Sequence, residues 1–120
     1  MPAAEPRTLG RVENAEFRID IDVTGGTRRI AVRGDLDLAT VGELRPALDD
    51  AIDASEPTAL VLADCTFLDS SALKVIADAS RRAGDSGTVF AVSRPSPQAA
   101  RVLELSGLGE IVTIDAPDYP

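Results

Sequence analysis

The chain has 120 residues, of which 12 are basic and 20 are acidic, and its formal net charge is −8. This length suits one domain with a substantial core and is too short for two. The acidic balance argues against a nucleic-acid surface, which needs clustered Lys and Arg. Because the sequence has no apolar run of bilayer length and no basic-then-apolar leader, we expect a soluble cytoplasmic protein with no membrane-embedded part.

The first elements are predicted to be two antiparallel strands. Residues 1–14 combine Pro and charged residues with few large apolar groups, and we predict a flexible N-terminal tail there. Apolar and charged residues then alternate strictly over 17–23, the pattern of a strand with one buried and one solvated face. The Gly pair within 24–27 predicts a hairpin turn, and 28–33 returns as the second strand.

A helix is predicted to follow, although its start is ambiguous. Thr40 and Glu43 have the spacing of a capping box, and an apolar stripe of helical period continues to Ile52. Pro46 lacks the N–H that a helix interior uses. We therefore expect the helix either to bend at Pro46 or to begin later than Thr40.

A buried strand and a second helix come next. Residues 59–63 are continuously apolar, which is typical of a strand covered on both faces. Apolar residues at helical spacing after Leu73 predict a helix that ends near Ala83. Between the two elements lie Asp69, Ser70 and Ser71, side chains well suited to cap a helix start. A hydroxyl at this junction would also lie near the positive end of the helix dipole, where a phosphate is favoured.

The remaining chain predicts strand, helix and strand. Residues 88–92 are the next strand, Ser96 followed by Pro97 starts a helix, and Gly107 is expected to end it in a left-handed conformation. Residues 111–114 are the last strand. The order β-β-α-β-α-β-α-β predicts a single α/β domain over residues 15–115 with a C-terminal tail at 116–120. Its sheet should be mixed, mostly parallel, with about five strands and three main helices.

Several kinds of chemistry are missing from the sequence. There is no His, so His-dependent catalytic triads and His metal sites are excluded. Cys65 is the single cysteine, which rules out an internal disulfide, and we expect it in the core. No Gly-rich phosphate loop ending in Lys and Ser or Thr is present. The acidic pair Asp35 and Asp37 is expected to consist of solvated turn residues. We therefore predict that the protein is no enzyme and needs no cofactor or metal.

Three segments together resemble a known family. They are 34–40 with 43–45, then 67–73, and finally 106–108 before the last strand. They resemble the Gly-Glu-Leu-Asp segment, the phosphorylated Asp-Ser-Ser segment and the Ser-Gly-Leu segment of anti-sigma factor antagonists, which carry the STAS domain. The resemblance covers about residues 15–114. It implies the STAS fold and a protein without catalysis of its own.

The resemblance also implies partners and a mechanism. Such antagonists bind an anti-sigma factor that is also a Ser/Thr kinase, and thereby displace the sigma factor. The kinase phosphorylates the antagonist, the complex weakens, and a Ser/Thr phosphatase resets the switch. The phosphoacceptor would be Ser70, within a partner-binding surface of Asp35, Asp37, Thr40, Asp69, Ser70, Ser71, Ala72 and Lys74.

Departures from the family pattern and alternative functions stay open at this point. Ala72 and Lys74 stand where the family usually has Gly, and Lys74 could pair with a phosphate, meet an acidic partner or be solvated. Asp69, Ser70 and Ser71 could be nothing more than an N-cap. Another possibility is a STAS accessory subunit that binds a membrane transporter ATPase without phosphorylation. A small-ligand sensor is least favoured, because the sequence offers no phosphate loop.

Overall fold

A computed structural model describes residues 7–110 and 112–115. Its elements, in chain order, are β1 (Arg7–Glu13), β2 (Arg18–Thr24), β3 (Thr27–Leu36), α1 (Val41–Asp53), β4 (Thr58–Leu68), α2 (Ser70–Asp85), β5 (Phe90–Ser93), α3 (Pro97–Leu105), a 3-10 turn (Leu108–Glu110) and β6 (Thr113–Asp115). The tail predicted at 116–120 and the first six residues of the tail predicted at 1–14 lie outside the described residues.

The strands form one sheet in which spatial order follows chain order, from β1 to β6. The first three strands are antiparallel neighbours, and the pairs from β3 to β6 are parallel. The predicted mixed α/β sheet with three helices is confirmed. β5 begins two residues later than the sequence pattern predicted, and Ile111, the first residue of the predicted last strand, lies outside the described residues. Among the described residues the sheet has six strands, where about five were predicted.

The additional strand is β1, which occupies residues that were predicted to be a flexible tail. Arg11 lies opposite Asp20 of β2, with the Arg11 Nε and Asp20 Oδ1 atoms 2.7 Å apart, and Val12 lies opposite Ile19 and packs against the core. An edge strand buries little, so its apolar content is low and its stability comes from pairing with β2. The prediction of a tail is therefore wrong from Arg7 onward.

The core lies between one face of the sheet and the helices. Alternate positions of β2 and β3 point into it, and β4 adds three Leu side chains and Cys65. The fully buried aliphatic residues include Ile19, Ile30, Val32, Leu44, Leu48, Ile52, Leu60, Leu62 and Ile76. On the opposite face, Arg18 and Arg29 pair with Asp20 and Asp22 at 2.9 and 3.7 Å. This confirms the predicted division of β2 into a buried and a solvated face.

β3 and β4 extend further than their apolar patterns indicated, and the site described below lies where they end. β4 continues five residues past the predicted 59–63, with exposed polar residues in its second half. β3 continues alongside it, so that Gly34 lies opposite Cys65 and Leu36 opposite Leu68. Cys65 is buried as expected, and burial raises the pKa of its thiol.

The helix ends follow the expected chemistry, with one correction. Pro97 opens α3, the Ser96 hydroxyl accepts from the Ala99 N–H at 3.1 Å, and Gly107 has the predicted left-handed φ of +78°. α1 begins at Val41 and contains Pro46. The predicted capping box is wrong, because the Thr40 side chain makes no cap hydrogen bond to α1.

Candidate functional site

Two loops meet where β3 and β4 end. One is the β3–α1 loop at residues 37–40, and the other is the single residue, Asp69, between β4 and α2. The N–H of Leu38 donates to Asp69 Oδ2 at 3.0 Å, and the N–H of Asp69 donates to the Leu36 carbonyl at 3.3 Å. The two loops therefore form one surface, although 31 residues of sequence separate Leu38 from Asp69.

Both carboxylate oxygens of Asp69 accept hydrogen bonds that join the two loops and the start of α2. While Oδ2 binds the β3–α1 loop, Oδ1 caps α2 by accepting from the N–H groups of Ser71 and Ala72 at 2.9 and 3.1 Å. The Ser71 hydroxyl donates to the same Oδ1 at 2.5 Å. These donors, with the Ser71 hydroxyl first, lower the pKa of Asp69, because each favours the ionised carboxylate. Asp69 is thus both the N-cap of α2 and a link between the loops.

Ser70 is left open by this arrangement. It is the first residue of α2 and its side chain is exposed. Asp69 supplies the cap and Ser71 binds Asp69, whereas no hydrogen bond of the Ser70 hydroxyl is found within the described residues. The interpretation that all three residues serve only as a cap therefore fits Asp69 and Ser71 but gives Ser70 no role. Its position at a helix N-terminus can accommodate an added negative group.

The β3–α1 loop is a tight polar turn. Asp37 Oδ1 accepts from the N–H groups of Ala39 and Thr40 at 2.9 and 3.2 Å. The Thr40 hydroxyl donates to the Asp35 carbonyl at 2.8 Å and accepts from the Asp37 N–H at 3.0 Å. Thr40 is thus used to close the turn, which explains why its side chain does not cap α1.

The other predicted site residues divide into exposed and buried groups. Asp35 is exposed, and its carboxylate accepts from the Thr66 hydroxyl of β4 at 2.6 Å. Lys74 is exposed on α2, one helical turn beyond Ser70. Ala72 is fully buried at 0 % exposure, so its methyl group packs in the core and cannot touch a partner. Its inclusion in the binding surface was wrong, because the cap turns the third position of α2 inward.

Two apolar residues of the surface were not predicted. Leu38 and Phe67 are exposed and line a shallow depression of about 530 Å³ together with Asp37, Ala39 and Asp69. Leu38 is the one large apolar side chain between Asp37 and Thr40, and Phe67 lies on the solvent side of β4, beyond the strand that the apolar pattern predicted. The sequence alone carries no signal that either side chain is exposed.

A polar cleft of about 750 Å³ adjoins the β3–α1 loop. Its lining includes the carboxylates of Glu16, Asp35, Asp37 and Asp64, against a single cation, Arg33. Carboxylates therefore outnumber cations in this lining. Across the described residues, no group of three or more His, Cys, Asp or Glu could hold a metal ion, and none of the described helices is long and apolar enough to cross a bilayer.

The double role of Asp69 predicts a stability effect. Asp69→Ala should lower the free energy of unfolding by about 1–2 kcal/mol at neutral pH through loss of the cap, with the lost loop contact adding to this. Because the pKa of Asp69 is lowered in the folded state, its contribution is present above the ordinary carboxyl pKa of about 3.9 and is lost as the pH falls through the folded value. Urea unfolding of both proteins from pH 7 downward should show the difference shrinking in acid.

A matched control lies at the other end of the same helix. Asp85→Ala removes an exposed carboxylate whose contact with Arg81 is 3.4 Å long, and it should change the unfolding free energy by less than about 0.5 kcal/mol. Equal stability of Asp69→Ala and wild type at pH 7 would contradict the assigned cap.

Comparison with known proteins identifies the family. A family model described as "Mlab, STAS domain" matches residues 10–113. The chain therefore belongs to the STAS domain family, as its three sequence segments indicated. The match begins within β1, in keeping with the additional strand.

Individual relatives share both sequence and fold. The Anti-sigma F factor antagonist of Paenibacillus polymyxa is 30 % identical over 100 residues, which cover 82 % of this chain and 86 % of that protein. A crystal structure of an anti-sigma factor antagonist from Mycobacterium paratuberculosis matches with a TM-score of 0.75 at 24 % identity, covering 82 % of this chain and 85 % of that one. The unphosphorylated form of the anti-sigma factor antagonist SpoIIAA matches with a TM-score of 0.69 at 23 % identity, covering 83 % and 88 %. At these identities the structural matches establish the fold.

Proposed function

We propose that this protein is an anti-sigma factor antagonist that binds a kinase-type anti-sigma factor and is switched off by phosphorylation of Ser70. The observation that carries the proposal is the Ser70 hydroxyl, which is exposed at the N-terminus of α2 beside a loop that Asp69 holds in place. The sequence relationship to the Paenibacillus polymyxa antagonist supports the same class of function.

The chemical step needs little from this chain. The Ser70 oxygen attacks the γ-phosphorus of ATP held by the kinase, a new O–P bond forms, the bond to the β-phosphate oxygen breaks, and ADP leaves. The hydroxyl proton passes to a base of the kinase, because the described structure places no hydrogen-bonded base against Ser70. The role of this protein is to present the hydroxyl on a rigid helix start.

The phosphate alters binding through its charge. It adds about −1.5 to −2 charges at neutral pH, beside the carboxylates of Asp69 and the β3–α1 loop. The helix N-terminus stabilises negative charge, so the domain stays folded while the surface changes. An interface that loses about 3 kcal/mol weakens more than a hundredfold, which is sufficient for a switch. A phosphatase that hydrolyses the phosphoserine restores the binding surface.

The test is displacement of a sigma factor. Each kinase-type anti-sigma factor of the source genome is purified in complex with its sigma factor and mixed with the unmodified protein, and the complexes are resolved by native mass spectrometry. The proposal expects that one anti-sigma factor exchanges its sigma factor for this chain and releases the chain again after incubation with ATP. If none of the anti-sigma factors binds the chain while a purified transporter ATPase does, the accessory-subunit alternative replaces the proposal.

A further inference from the structure

We propose that Leu38 and Phe67 are the apolar anchor of this protein, inserting into an apolar recess of the anti-sigma factor that is rimmed by Arg and Lys. The inference deepens the proposed function and rests on it. Leu38 is 78 % exposed and Phe67 is 49 % exposed, and the two line one depression with Asp69, the residue directly before Ser70. Single exposed apolar residues are common on protein surfaces. Leu38 and Phe67 differ from these because they line the same depression beside Asp37 and Asp69.

Both side chains are presented on fixed backbone. The N–H of Leu38 is held by Asp69 Oδ2 at 3.0 Å, and the turn that carries Leu38 is closed by Asp37 and Thr40. Phe67 lies within β4, opposite Asp35 of the extended β3. Because the loop is already ordered, binding of a partner costs little free energy for ordering it. Each contact with the partner therefore adds more to the affinity.

The rim defines the chemistry of the partner. Asp37 and Asp69 line the depression with the apolar pair, Asp35 lies opposite Phe67 in the pairing of β3 with β4, and the whole chain carries a net charge of −8. An apolar centre within a charged rim is the usual anatomy of a protein interface, and complementarity of charge then requires cations on the other side. The occupant is thus a protein recess with apolar walls and a basic edge, rather than an acidic or purely polar surface.

This arrangement also explains why phosphorylation of Ser70 weakens binding without refolding the domain. When the anchor is buried in the recess, the neighbouring Ser70 side chain loses water as well. A hydroxyl tolerates this loss at small cost, but a phosphate with nearly two charges does not. Burial of the anchor therefore makes the affinity fall strongly when Ser70 carries a phosphate, because the phosphate loses its water.

The experiment compares alanine variants with a matched control. Leu38→Ala and Phe67→Ala remove the anchor, while Leu105→Ala removes a side chain of similar exposure, 73 %, on α3. Titration calorimetry is performed with the purified anti-sigma factor, loaded with ADP, that binds wild type in the displacement test. We expect Kd to rise at least tenfold for each anchor variant and less than twofold for Leu105→Ala. Urea unfolding verifies that the variants retain the wild-type midpoint, so that a change in Kd reports on binding and not on folding.

The outcomes separate this inference from the function on which it rests. If the anti-sigma factor binds wild type and both anchor variants within twofold of each other, the anchor is overturned while the proposed function stands. If no anti-sigma factor binds wild type, the proposed function itself fails, and the anchor fails with it.

A separate measurement tests whether the anchor increases the effect of Ser70 phosphorylation on the affinity. The factor by which Ser70 phosphorylation weakens binding is measured in wild type and in Phe67→Ala. We expect a smaller factor in the variant, because a looser interface removes less water from the phosphate. Equal factors in the two proteins would overturn the regulatory role of the anchor.

Discussion

If the proposed function holds, Ser70→Ala should abolish phosphate incorporation when the protein is incubated with ATP and the kinase-type anti-sigma factor that binds it in the displacement test. The loss should be complete, because the Ser70 hydroxyl is exposed at the start of α2 and makes no hydrogen bond within the part of the chain that the structure describes. The neighbouring Ser71 hydroxyl, in contrast, donates to Asp69 Oδ1. Radiolabel incorporation gives the extent, and peptide mass spectrometry of the labelled wild type gives the position of the phosphate.

Ser71→Ala is the matched control for this experiment. It removes an adjacent hydroxyl of the same chemistry, and it should keep full labelling while the lost hydrogen bond to Asp69 lowers stability by about 1 kcal/mol. Labelling that persists in Ser70→Ala and disappears in Ser71→Ala would transfer the acceptor role to Ser71 and contradict the assignment.

The largest expected effect on stability comes from Gly34→Ala. Gly34 has a φ of +102°, and a Cβ placed there would fall far inside contact distance of the Glu16 carbonyl oxygen, an atom of the backbone. Conformational strain and this clash should together lower the free energy of unfolding by about 3 kcal/mol or more. Such a loss is a large share of the roughly 5–15 kcal/mol that stabilise a domain, and urea unfolding measures it directly.

Two other glycines separate the causes of that effect. Gly107 also has a positive φ, +78°, but among the described residues no heavy atom lies within 4 Å of its added Cβ, so Gly107→Ala should lower the free energy of unfolding by about 1 kcal/mol. Gly42 lies in α1 without a positive φ and with open space around it, so Gly42→Ala should be neutral or stabilising. If Gly34→Ala and Gly107→Ala lowered the free energy of unfolding equally, the close approach of residues 16 and 34 would not contribute to the effect.

The sequence predicted that Asp69, Ser70 and Ser71 lie at the start of a helix, but it did not assign the structural role of each. Asp69, Ser70 and Ser71 can each cap a helix, and local pattern does not distinguish them. The assignment depends on the extended backbone of Asp69, with φ −112° and ψ −176°, and on the Leu38 N–H that reaches it from another loop. Such a contact between distant parts of the chain has no local signature in the sequence.

Contacts between distant parts of the chain also account for the errors in the predicted fold. Thr40 has the spacing of a cap, yet its hydroxyl is used by Asp35 and Asp37 because β3 continues further than its apolar pattern. β1 is stable only as a partner of β2, so its own residues carry a weak signal. The buried alternation of β2 and the Pro97 helix start were predictable, since each follows from a local rule.

Leu38 and Phe67 show a further limit of sequence patterns. An apolar residue in a strand or beside a helix start is normally assigned to the core, because most large apolar side chains are buried. Their exposure becomes visible only when the β3–α1 loop and the end of β4 are placed together.

The most direct test of the phosphorylation switch is a pair of affinities. The purified anti-sigma factor is titrated by calorimetry with unmodified protein and with protein fully phosphorylated at Ser70. The phosphorylated form should bind at least a hundredfold more weakly, while its circular dichroism spectrum and its urea midpoint match those of the unmodified form. Equal affinities for the two forms would contradict the switch.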